Sequence, residues 1–229
     1  MNRTSSVVVW LVVACVVAFI AESAPAADAE VRSKQDAWRV LFDGKDLSAW
    51  QNAAGKEPGE GWVVSDGALC RKTRAGDVWT KDRFGDFVLD LEFKTEGNSG
   101  IFIRTDNPRD CVQTGIEIQV FKPASKPSKH SCGAVYDALA PSKEMAKDGQ
   151  WNHVVITAAD NKLAIVLNGE QIIDMDLNRW TEAGKNPDGT RNKFRTALKD
   201  FKREGHIGLQ DHGAGVCYRN VKIKPLKKQ

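Results

Sequence analysis

One alternation constrains this chain more than any other feature. In Phe87-Val88-Leu89-Asp90-Leu91-Glu92-Phe93, the residues Phe87, Leu89, Leu91 and Phe93 fall on one side of an extended backbone, and Asp90 and Glu92 on the other. A helix would scatter these residues around its circumference, whereas a strand gathers them into one buried face. Similar extended runs follow at Ile101-Phe102-Ile103-Arg104, Gly115 to Val120, His153 to Ala158, Lys162 to Leu167 and Gln171 to Met175. Asp160-Asn161 and Asn168-Gly169 lie between consecutive runs and read as tight hairpin turns. Helix is limited to a turn or two at Ala197 to Arg203. Many short strands with Gly-rich turns, and no internal repeat or change of composition, predict one domain of two packed antiparallel sheets.

The rest of the composition bounds the partners. The chain has 229 residues, 41% hydrophobic and 28% charged, with a net charge of +3, which suits one globular core. The basic residues are scattered except near Lys222 to Lys228, and no basic stripe carries stacking aromatics, so a nucleic-acid footprint is not expected. Residues 1–26 read as a cleaved signal peptide: Arg3, the apolar run Val7 to Ile20, then Ala24-Pro25-Ala26. The run is about 14 residues, short of the ~20 a membrane span needs. Cys15 after Val12-Val13-Ala14 leaves a lipoprotein leader as the alternative. Residues 27–37 read as a polar linker and 38–229 as the domain, in a periplasmic or secreted protein. In an oxidising compartment Cys111 and Cys132, both in loop-like settings, are the expected disulfide. Cys70 and Cys217 fall in strand-like segments and are left to pair or to stay as buried thiols.

Parity also predicts a polar face. With Ile101, Ile103, Ile116, Ile118, Val120, Ile207 and Leu209 in the core, Phe102 and Arg104, Glu117 and Gln119, and Gln210 and His212 share the opposite side. Gly205 to Asn220 reads as two strands of a hairpin with a Gln210-Asp211-His212 cluster between them. If these strands are neighbours, a carboxylate, an imidazole, a guanidinium, two amides and an aromatic ring surround one cleft. Sugars call for that mixture of hydroxyl-binding groups and a stacking surface. On any single strand such alternation more often marks only a solvated face, and Glu117 with Arg104 could form a surface ion pair. Asn98-Ser99-Gly100 reads as turn chemistry, Trp151-Asn152 as core and turn, and His130 as loop.

The ordered motifs sharpen the expectation. Leu41-Phe42-Asp43-Gly44-Lys45-Asp46-Leu47-Ser48-Ala49-Trp50, Asn98 to Arg104, Gly115 to Gln119, Gly133-Ala134-Val135-Tyr136-Asp137, Trp151-Asn152, Leu167-Asn168-Gly169, Asp188-Gly189-Thr190 with Asn192-Lys193-Phe194, and Gly205 to Asn220 resemble, in order, those of the 3-keto-disaccharide hydrolase family. The resemblance spans about residues 38 to 226. It implies an all-β, concanavalin A-like jelly-roll sandwich whose concave sheet carries the site. It also implies cleavage of glycosides already oxidised at the sugar 3-position, and so a functional partner in a sugar 3-oxidoreductase. A 3-keto group acidifies the hydrogen on C2, so a base can form an enediolate and the C1 substituent can leave by β-elimination, with or without later hydration.

On that resemblance Glu117 and His212 are the catalytic candidates, each as base or acid, or as a ligand of a divalent cation. Arg104, Gln119, Tyr136, Gln210, Asp211 and Phe102 are the expected substrate-binding residues. No spacing demands a cofactor; a divalent cation bridging the C2 hydroxyl and C3 carbonyl is compatible with the chemistry. The alternative is a non-catalytic, lectin-type sugar-binding module, since this fold serves both roles. An ordinary two-carboxylate glycosidase ranks third, because strand Gly115 to Val120 offers only Glu117.

Overall fold

A computed structural model describes residues 37–227. The expected signal peptide, and the expected linker up to residue 36, lie outside the described residues. The alternating segments form two antiparallel sheets. The larger runs β11 (Glu170–Asp176), β10 (Lys162–Leu167), β9 (Asn152–Ala159), β6 (Phe87–Thr95), β13 (Val216–Pro225), β4 (Ala68–Arg71) and β3 (Trp62–Ser65), with β1 (Arg39–Phe42) also paired to β13. The smaller runs β2 (Trp50–Asn52), β5 (Val78–Thr80), β12 (His206–Leu209), β7 (Ser99–Thr105) and β8 (Ile116–Val120). This is the expected all-β, concanavalin A-like jelly-roll sandwich.

The core lies where parity put it. Phe87, Leu89, Leu91 and Phe93 from β6 are buried against Ile101, Ile103, Ile116, Ile118, Ile207 and Leu209 from the smaller sheet. Each side chain of this size contributes about 1.5–3 kcal/mol when removed from water. Asn168 and Gly169, at φ 52° and 87°, supply the two left-handed residues that a two-residue hairpin needs between β10 and β11. The short helical turn expected near Ala197 is the 3-10 turn Leu198–Asp200.

Two expectations require correction. β12 and β13 are not a hairpin, because β12 pairs with β5 and β7 while β13 pairs with β4 and β6 in the other sheet. The stretch from Gln210 to Gly215 is therefore a crossing between sheets, and strand parity ends at Leu209. The Asp211 carboxylate shapes that crossing by accepting from Arg71 Nε at 2.7 Å and from the amides of Ala75, Gly76 and Gly213.

The disulfide is Cys70–Cys217, while Cys111 and Cys132 are free thiols. Register explains the outcome: Cys70 on β4 stands directly opposite Cys217 on β13, with Cα atoms 4.0 Å apart. Cross-strand geometry outweighed the loop setting that favoured the other pair. The bridge joins residues 147 positions apart, and closing so long a loop restricts the unfolded chain by about 2–5 kcal/mol. Cys132 is fully buried instead, and burial pushes its thiol up to about 12.

Candidate functional site

The outer face of the smaller sheet is built in rows. Gln51, Trp79, Gly208, Phe102 and Glu117 are successive register partners across all five strands, β2 to β8. Two residues further along, Gln119 stands opposite Gly100, the Gln210 amide donates to the Gly100 carbonyl at 2.9 Å, and Asp77 precedes β5. The glycines make the face a receptacle. A Cβ on Gly208 would stand 2.3 Å from the Trp79 ring, and one on Gly100 would stand 2.6 Å from Glu117 Oε1. The indole therefore leans over β12 and the carboxylate over β7, both toward the middle of the sheet.

The row is charged at one end and aromatic at the other. Glu117 is 8% exposed, and burial pushes its carboxyl up to about 7. Lys193 and a hydrogen bond with the Gln210 side chain oppose that rise, while Asp77 adds to it. Lys193 Nζ is 4.0 Å from Glu117 Oε2 and 3.8 Å from the centroid of the Tyr136 ring. Burial lowers the lysine pKa, against the pull of Glu117 and Asp137. Burial likewise raises the Tyr136 phenol, with Glu117 and Asp137 adding to it. The Tyr136 amide donates to the Glu117 carbonyl at 2.9 Å, which fixes the two residues side by side. Asp137, held in the left-handed region at φ 59°, gathers Lys129, His130 and the Lys193 amide and so anchors the wall of the site. His130 thus belongs to a wall, beyond the plain loop role that the sequence suggested.

Three buried polar atoms on this face have no hydrogen-bond partner within the protein: Trp79 Nε1, Gln119 Oε1 and Gln210 Oε1. Gln119 is otherwise fixed, since its Nε2 donates to Asn98 Oδ1 at 2.8 Å. A buried polar atom left unpaired costs about 1–3 kcal/mol. The two amide oxygens, one on β8 and one just past the end of β12, suit a ligand carrying several hydroxyls, whereas Trp79 is fully buried.

The structure brings Glu117, Gln119, Gln210 and Tyr136 together as expected, and separates the others from them. Arg104 does not line the site. Its backbone turns left-handed at φ 51°, beside a register shift between β7 and β12, so parity fails at the strand end. Its side chain is 1% exposed and donates to the Gly85 carbonyl, the Asp160 carbonyl and Asp86 Oδ1 at 2.9, 2.6 and 2.8 Å. Phe102 is on the expected face but fully buried, with its ring centroid 5.4 Å from that of Trp79, so it is floor rather than platform. Asp211 is engaged in the crossing, and His212 is exposed beside Asp77 rather than on a strand opposite Glu117. Among the described residues no three His, Cys, Asp or Glu side chains gather as metal ligands, and the cationic Lys193 stands against Glu117.

Two residues escaped the sequence reading. Asp77 shares parity with Trp79 in Asp77-Val78-Trp79-Thr80, a signal present but hidden in a three-residue strand. Burial raises its pKa, Asp211 adds to the rise, and the Asp211 amide (2.8 Å from Oδ1) and His212 oppose it. Lys193 reaches in from an irregular loop, where no periodicity applies. A cavity of about 1310 Å³ opens elsewhere beside Arg83, Asp86, Asp160, Lys162 and Arg203. Much of its charge is neutralised in the pairs Arg83–Asp106, Arg104–Asp86 and Lys162–Asp176, so its size does not make it the reactive site.

The protein is thus a jelly-roll sandwich that carries a buried carboxylate, a lysine and unpaired amide oxygens on one sheet face. Residues 37–224 match the model of the 3-keto-alpha-glucoside-1,2-lyase-like domain, and the chain belongs to that family. It is similar to the 3-keto-disaccharide hydrolase of Bacteroides thetaiotaomicron, with 24% identity over 83% of this chain and 79% of the relative. The fold also matches a predicted glycosyl hydrolase from Parabacteroides distasonis, at 32% identity and a TM-score of 0.75, covering 83% of this chain and 100% of that one. A second structure from that organism, at 24% identity and a TM-score of 0.70 over 86% and 97% of the two chains, shares the fold.

Proposed function

We propose that the protein is an exported enzyme that cleaves 3-keto-glucosides or 3-keto-disaccharides by removing the C2 proton and expelling the C1 substituent. Glu117 carries the reading: it is a buried carboxyl whose proton affinity lies near neutrality, next to a lysine, in a wall of unpaired hydrogen-bonding atoms. A base of that strength is ionised often enough to act, yet basic enough to take a proton acidified by the neighbouring ketone. Lys193 faces the developing negative charge on the C3 oxygen, while Gln119 and Gln210 meet sugar hydroxyls. A sugar 3-oxidoreductase would supply the substrate.

Lys193→Met is expected to lower kcat on a 3-keto-glucoside by about 10²–10³-fold, the usual cost of losing one group that stabilises an oxyanion. The acid limb of the kcat/KM profile, set in the native enzyme by Glu117 near 7, should move to higher pH, because the lysine lowers the Glu117 pKa. Rates measured from pH 5 to 9 check both effects. An unchanged kcat and an unmoved limb would remove Lys193 from the chemistry.

One observation favours a second reading. Asp77, at the start of β5 in the same sheet, acts electrostatically on Glu117, which offers a second carboxylate of the kind ordinary glycoside hydrolysis requires. An enzyme of that kind would cleave the unoxidised glucoside and leave C2 untouched.

A further inference from the structure

Trp79 and Phe102 project from the outer face of the smaller sheet, yet both are fully buried and neither belongs to the core between the sheets. Something must lie over them. The connector between β7 and β8, residues 106–115, has the ties to do so. It carries the 3-10 turn Pro108–Asp110 and the single helical turn Cys111–Thr114. Arg109 Nε donates to the Ala53 carbonyl at 3.4 Å, just past the end of β2 at the far edge of the sheet. On the β8 side, Gln113 Nε2 donates to the Lys193 carbonyl at 3.1 Å, and Asp110 pairs with Arg195 at 2.6 Å. β2 lies three strand spacings from β7, about 14 Å, so a connector bonded at both edges has to cross the face. Burial pushes the Cys111 thiol up to about 11, and Asp77 and Glu117, both on that face, add to the rise.

The connector therefore covers the row of Trp79, Gly208 and Phe102 and leaves the next row, with Gln210 and Gln119, to the ligand. The pairing of β2 with β5, extended by one residue, sets Ala53 opposite Asp77, so the Arg109 bond closes the β2 end of that row. Lys193 and Tyr136 close the β8 end. The way in that remains runs past Asn98 and the exposed His212. We propose that this connector makes the site a blind pocket, so that the enzyme cleaves a 3-keto sugar only where that sugar ends its chain. The proposal rests on the elimination reading above and adds the size and form of the substrate to it. A group bound at C1 leaves through the opening. O4 stands across the pyranose ring from C1 and then points at the connector, where a further sugar on O4 has no room.

The test compares methyl 3-keto-glucoside with the same compound carrying a glucosyl unit on O4. Wild-type kcat/KM should be lower on the extended substrate by about 10²-fold or more, because a steric clash excludes it from the pocket. Replacing residues 107–112 by Asn-Gly joins β7 to β8 through a two-residue hairpin turn and uncovers Trp79 and Phe102. In that variant the two values of kcat/KM should come within about tenfold of each other, since the clash is gone. Equal wild-type rates on the two substrates overturn the pocket, as does a folded variant that discriminates as strongly as the wild type. Should the variant fail to fold, the wild-type ratio decides alone. A wild-type protein that cleaves neither compound removes the elimination reading, and binding then decides the pocket. Calorimetry would compare methyl glucoside with its O4-glucosylated form: tighter binding of the first supports the pocket, and equal affinity, or none for either, overturns it.

Discussion

Glu117→Gln is expected to lower kcat on a 3-keto-glucoside by about 10²–10⁴-fold, the range for losing a general base. The amide preserves shape and can still bond to Gln210, so KM should change far less than kcat. The same substitution should stabilise the fold in alkaline solution. Burial raises the Glu117 pKa from 4.5 to about 7, so the folded protein holds this proton more tightly than the unfolded chain does. The associated stability is fully present below about pH 4.5 and is lost as pH rises through about 7. A variant with no charge to bury escapes that loss. Thermal melts at pH 8 should place Glu117→Gln above the wild type, and the advantage should shrink toward pH 5. Loss of activity with a gain in stability marks a group kept for chemistry. A variant equally active, or destabilised at pH 8, would remove Glu117 from the centre of the account.

Arg104→Met should behave in the opposite way. The guanidinium ties β7 to Asp86 ahead of β6 and to Asp160 at the β9–β10 turn, and it is buried with every bond made inside the protein. Its removal leaves Asp86 without its cation and two carbonyls without donors, which costs about 3–5 kcal/mol. For a domain of this size the melting temperature should fall by about 6–20 °C. Well below that temperature, kcat/KM should stay near the wild-type value. A selective rise in KM without loss of stability would return Arg104 to the substrate, where strand parity first put it.

The fold was legible because the period of two survives through β6, β9 and β10. Ile101 and Ile103, Ile116 and Ile118, and Ile207 and Leu209 all face the core, which forces Phe102, Glu117 and Gln119 to the outer face. Parity failed wherever the backbone left the strand. Arg104 turns left-handed at the end of β7, and Gln210 to Gly215 crosses between sheets, so Asp211 and His212 do not follow the rule that placed Glu117. Asp77 was hidden because β5 is only three residues long, and Lys193 because a loop delivers it. The Cys70–Cys217 bridge depends on which strands are neighbours, a property that no local pattern encodes.

The central claim is that bond cleavage begins with removal of the C2 proton. It is tested most directly by giving the wild-type enzyme an equal mixture of a 3-keto-glucoside and its C2-deuterated form, and following the composition of the unreacted substrate. The account predicts that the deuterated form accumulates as the reaction proceeds, and that the unoxidised glucoside is not cleaved. Consumption of both isotopic forms at the same rate, together with cleavage of the unoxidised glucoside, would contradict it.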